Sequence, residues 1–105
     1  MGDRVSIQFV NGKEKSVVLF SHWGGMDFVK TAKAYTKDLH KWIDRQDNCA
    51  ITPLMRLEPD TVIVDFIRHI TKNDVRVDSD LYLAEDENMG DNSDNGHHVI
   101  NLKEK

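Results

Sequence analysis

"RVSIQFVNGKEKSVVLF", residues 4–20, decides the fold. Val5, Ile7 and Phe9 alternate with Ser6 and Gln8, the pattern of a strand with one apolar face. Asn11-Gly12 follows as a hairpin signal. Two registers compete. A two-residue turn at Asn11-Gly12 sets Phe9 against Glu14 and Ile7 against Ser16. A three-residue loop, Gly12 to Glu14, sets Phe9 against Val17 and Ile7 against Leu19. The second keeps apolar side chains on one face and is the expected register. In "SVVLF", 16–20, Val18 and Phe20 point away from Val17 and Leu19. Both faces are therefore apolar, as in an interior strand covered on both sides.

Beyond residue 25 the period changes from two to 3.6. Phe28, Ala32, Tyr35, Leu39 and Trp42 recur at spacings of four and three, with Val29 and Ile43 widening the stripe. This predicts a long helix over 26–45 that ends near "RQDN". Thr52-Pro53 and Glu58-Pro59 place prolines where first helical turns begin. A short turn is expected at 53–57. A helix is expected over about 60–71, because Ile63, Phe66, Ile67 and Ile70 fit a helical period despite the β-branched "TVIV". "VRVDSDLYLA" contains a strand, centred on Leu81 to Ala84, and "HHVINL", 97–102, is another. The order is β-β-α-α-β-β. It predicts a single α+β domain over 1–105: a mainly antiparallel sheet with both helices packed on one face.

A chain of 105 residues can bury a core without metals or disulfides. No window resembles a membrane helix, and "MGDRVSIQFV" has none of the parts of a secretory leader, so the cytoplasm is the expected location. Cys49 is the only cysteine, which rules out an internal disulfide. Charge is unevenly placed: residues 1–77 carry +2 and residues 78–105 carry −6. The lysines on the first helix are interleaved with Asp27, Asp38 and Asp44. That mixture reads as a solvated face, and neither nucleic acid nor a membrane is expected as a partner.

"SHWGG", 21–25, is the most singular stretch. Two glycines at a strand-to-helix turn can supply positive φ and close backbone approach. Alternatively, the free N–H groups of the helix start could bind an anion beside His22 and Trp23. Against that, Gly24 and Gly25 lack the Lys-Ser/Thr pair of a phosphate loop, and Asp27 already complements the helix dipole. "SVVLFSHWGG" together with "GDNSDNGHHVINL", 90–102, resembles a group of small uncharacterised prokaryotic and phage-type proteins. These carry an HWGG corner near the N-terminus and an acidic, Gly- and Asn-containing stretch near the C-terminus. The resemblance implies no activity. It implies that 22–25 and 91–98 belong to one design.

No Lys or Arg falls between Arg76 and Lys103, where seven carboxylates lie. Asp91, Ser93, Asn95 and Gly96 match the opening positions of a calcium loop, but Leu102 stands where a bidentate Glu is needed, so this is no EF-hand. Two readings remain for 85–96: a solvated, mobile loop, or an irregular divalent-cation site on Asp91, Asp94, His97 and His98. His97 and His98 point to opposite faces of a strand, so only one can join His22. His40 and His69 are expected at the surface or at an edge. No residue stands out as a nucleophile.

Two functions are carried forward. The first is a small interaction or regulatory module that uses His22, Trp23, Gly24 and Gly25 to contact an unknown protein or a small anionic ligand, without a cofactor. The second is a metal-binding protein or metal-dependent enzyme built from His22, His97 or His98 and the acidic loop. The second requires the last strand to lie beside the strand that carries His22.

Overall fold

A computed structural model of the chain describes residues 2–46, 52–72 and 80–103. Cys49 and the "VRV" segment lie outside the described residues. The elements in chain order are β1 (Val5–Asn11), β2 (Glu14–Lys15), β3 (Val18–Ser21), α1 (Gly25–Asp44), α2 (Pro59–Thr71), β4 (Leu81–Ala84) and β5 (His97–Asn101). No described helix is long and apolar enough to cross a membrane.

β1 is the centre of the sheet. One side pairs antiparallel with β3 and, farther along, with β2; the other pairs parallel with β5. β4 lies antiparallel on the far side of β3. The fold is therefore α+β, with three antiparallel pairings and one parallel one.

The expected pairing of Ile7 with Leu19 is present, but the loop is shorter than expected. Asn11 faces Glu14, so only Gly12 and Lys13 form the turn, and Gly12 sits at φ 64°. The extra residue enters as a bulge at Ser16–Val17. There the Ser16 hydroxyl accepts the Phe9 amide at 3.1 Å, while the Ser16 amide donates to the Phe9 carbonyl at 2.9 Å. The bulge turns Val17 outward, so it does not share the core work of Leu19. β3 is an interior strand with Val18, Leu19 and Phe20 all buried.

One face of the sheet carries the helices. Val5, Ile7, Phe9, Leu19 and Ile100 meet Phe28, Ala32, Tyr35 and Leu39 of α1 and Val62, Ile63 and Phe66 of α2. The Phe66 ring is the hub, with centroids 5.6 Å from Phe9, 5.9 Å from Phe28 and 5.2 Å from Tyr35. Burying a side chain of that size contributes roughly 1.5–3 kcal/mol. α2 begins at Pro59, whose missing N–H costs nothing in a first turn. The turn before it contains Leu57 at φ 57°, and the Asn11 amide holds the Leu57 carbonyl at 2.9 Å.

The opposite face of the sheet is covered by the connection from β4 to β5. Phe20 stacks on Tyr82 at 4.9 Å with rings 4° from parallel. Gly90 lies against that stack: a Cβ there would come within 2.7 Å of the Phe20 ring.

Candidate functional site

The HWGG corner is fastened by the segment before β1. The Asp3 amide donates to the His22 carbonyl at 2.8 Å, and the Gly25 amide donates to the Asp3 carbonyl at 2.9 Å. Ser21 accepts the Gly24 amide and donates to Asp80. Gly25 has φ 58°, in the region that favours glycine, and a Cβ there would collide with the Asp3 carboxylate. At Gly24 a Cβ would come within 2.7 Å of both Phe28 and Ser21. The corner therefore has a structural reason for each glycine. The Asp3 carboxylate lies beside Gly25, the first residue of α1, and adds negative charge at that helix start.

The side chains at the corner differ from its backbone. His22 packs against Tyr82, with ring centroids 5.0 Å apart, and against Trp23 at 5.6 Å. Trp23 is 63% exposed and Met26, in the first turn of α1, is 44% exposed. Neither belongs to the apolar core.

Residues 85–96 form a loop that is exposed over most of its length, as expected, but hydrogen bonds tie its inner edge down. The Tyr82 hydroxyl accepts the Asp91 amide at 2.8 Å, and the Arg4 carbonyl accepts the Asn95 amide at 2.9 Å. Arg4 reaches Asp91 at 3.3 Å and Asp94 at 3.7 Å. Hydrogen bonds from the Ser93 hydroxyl and amide, then the charges of Arg4 and His22, hold the Asp91 carboxyl below the usual range. The Asn95 side-chain amide donates to the Asp3 carboxylate at 2.6 Å. Residues 2–4 thus touch both the corner and the acidic loop.

Beneath the loop runs a directed hydrogen-bond chain. The Asn92 amide donates to the Ser6 hydroxyl at 2.9 Å, and Ser6 lies 2.8 Å from His97 Nδ1. His97 Nε2 faces the Gln8 oxygen at 3.3 Å, and the Gln8 amide donates to the Ser16 carbonyl at 2.8 Å. This sequence satisfies every member when His97 is neutral with its proton on Nε2. Burial pushes the His97 ring down in pKa, while Glu87, 4.0 Å away, opposes the shift. Ser6, His97 and Glu87 have the residue types of an acyl-transfer site. However, Ser6 has no exposed surface, and its hydroxyl is engaged on both sides.

The residues considered for a metal are not brought together. β5 lies on the opposite side of β1 from the strand that leads to His22. His97 faces the loop, and His98 Nε2 meets the Asn95 carbonyl at 2.8 Å. Asp91 and Asp94 both engage Arg4. Among the described residues no three His, Cys, Asp or Glu side chains converge as a metal ion requires.

The expectation for His40 also fails. It is 8% exposed, and its Nε2 has no hydrogen-bond partner among the described residues. His69 is at the surface, but it is part of a feature that hydropathy alone does not reveal. A cleft of about 370 Å³ opens between α1 and α2, lined by Tyr35, Asp38, Trp42, Leu54, Asp65 and His69. The Tyr35 hydroxyl donates to Asp65 at 2.6 Å, and the His69 ring lies 5.7 Å from the Tyr35 ring. The sequence does hold one clue: a tyrosine inside an apolar stripe needs a polar partner for its hydroxyl. Comparison of the chain with protein-family models, with curated proteins and with solved structures finds no match in any of the three.

Proposed function

We propose that the chain is a small cytoplasmic protein-interaction module that engages a protein partner through the HWGG corner. The observation that carries this reading is Trp23: a large aromatic, 63% exposed, on a backbone held by glycine geometry and by residues 2–4. An exposed Trp on a stiff turn loses little conformational freedom when buried by a partner, which makes it a suitable anchor. Met26 beside it adds adaptable apolar surface. The Asp3 carboxylate at the helix start favours a protein surface over a small anion.

A photo-crosslinking amino acid placed at position 23, and separately at position 33 on the exposed face of α1, tests this in a lysate of the source cells. The expected result is a discrete adduct from position 23 only, suppressed by excess unlabelled wild-type chain but not by Trp23→Ala. Equal labelling from both positions, or none from position 23, would overturn it. Amide exchange in 85–96 that slows only on adding calcium or zinc would favour the metal reading instead.

A further inference from the structure

We infer that the cleft between α1 and α2 is a binding site for a single organic cation, an alkylammonium or guanidinium group on a short apolar stem. It lies apart from the HWGG corner and does not depend on that reading. Its size, about 370 Å³, suits a small ligand or one side chain.

Three features select the ligand. The first is charge. Asp38 on α1 and Asp65 on α2 both line the cleft, and among the described residues neither pairs with a Lys or Arg. The second is preorganisation. The buried Tyr35 hydroxyl donates to one Asp65 oxygen, which fixes the carboxylate and leaves its other oxygen to accept. Burial, with Asp65 beside it, pushes the Tyr35 ionisation far up, so Tyr35 remains a neutral donor to Asp65. The third is the wall. The half-buried Trp42 ring borders the cleft and offers aromatic surface to a cation, and Leu54 offers carbon to a stem.

The same features reject other ligands. An anion would meet two carboxylates. A bare divalent ion would find too few oxygens for its shell. The adjoining cleft beyond Asp65 and His69 is lined by Arg68 and Lys72, so an extended polycation would run into positive charge. One cationic head with an uncharged tail fits.

The chemistry could come from a free amine or from a basic side chain of a peptide. NMR of the isotope-labelled chain tests both. Butylammonium, butylguanidinium, blocked lysine, blocked arginine and butyrate are titrated separately. The cations should give saturable shifts at the Trp42 indole N–H and the Asp65 and His69 amides, with the Trp23 indole unmoved. Butyrate should give none. Tighter binding of the blocked amino acids assigns a peptide side chain; tighter binding of the plain cations assigns a free amine. Asp65→Asn keeps an acceptor for Tyr35 and should weaken binding by at least about tenfold. Asp38→Asn, on the rim, should weaken it less, and serves as the second variant should Asp65→Asn disturb the amide spectrum. Butyrate shifts equal to those of the cations, or unchanged cation affinity in a folded Asp38→Asn, Asp65→Asn double variant, would overturn the site.

Discussion

The two faces of β1 are both buried, by opposite means. On one, Val5, Ile7 and Phe9 meet helices through carbon contact. On the other, Ser6 and Gln8 are buried beneath a loop that reaches them through hydrogen bonds. Carbon contact is non-directional and grows with area. A hydrogen-bond chain is directional, contributes modestly when complete, and costs more when one link is removed. The helix face therefore sets how stable the protein is, and the polar face sets how the connection from β4 to β5 lies. The corner at residues 22–25 stands where the two coverings meet.

The largest effect should come from the helix face. Leu39→Ala removes a buried side chain of α1 and should cost about 2–5 kcal/mol in urea melts. A loss below about half a kcal/mol would place Leu39 outside the core. Next is the polar face. Ser6→Ala takes the middle link out of the chain, leaving Asn92 and His97 without their shared partner, and should cost about 1–3 kcal/mol. Amide exchange should quicken in 87–96 while the amides of 28–39 keep their protection. Equal loss in both segments would show that the two faces act as one unit.

At the junction, Gly25→Ala should cost about 1 kcal/mol or more, because φ 58° strains any other residue. Trp23→Ala should stay within about 0.5 kcal/mol. The reverse ranking would make Trp23 a structural residue and remove the anchor from the proposed interface. The smallest effect should be a pH dependence. The His97 ring holds its proton less well in the folded chain than in the unfolded one, whose ordinary pKa is 6.5. The unfolded chain therefore gains the proton first on acidification. Stability should be full above about pH 6.5 and should decline as pH falls from there towards the lower folded value. His97→Gln should flatten that part of the profile, measured by melts between pH 7.5 and 5.

How much was legible follows the same division. The helix stripe, the pairing of Ile7 with Leu19 and the interior place of β3 could all be read, because apolar side chains repeat with the period of the element they occupy. The bulge could not, because it depends on the Ser16 hydroxyl accepting a ladder amide, which no hydropathy pattern records. The polar chain was hidden for a related reason. Ser6 and His97 lie 91 residues apart and share no periodicity, so their meeting depends on the parallel docking of β5. His40 read as an edge residue because a polar side chain on a helix is usually solvated. The Tyr35–Asp65 pair was masked by its surroundings: Tyr35 counts as one more apolar position, and Asp65 stands beside Phe66 in a run that reads as core.

The central place of β1 has a consequence for the order of assembly. Its parallel partner is translated some 91 residues after it. At about 5–20 residues per second, β1 waits roughly 5–20 s on the ribosome with one edge unpaired. The hairpin to β3 and the helices need no residue of β5, since all their residues precede it in the chain. The middle strand of the finished sheet is thus an edge strand for most of its own synthesis, exposed to mispairing with other nascent chains. Slower translation between α2 and β5 lengthens that exposure, and faster translation shortens it.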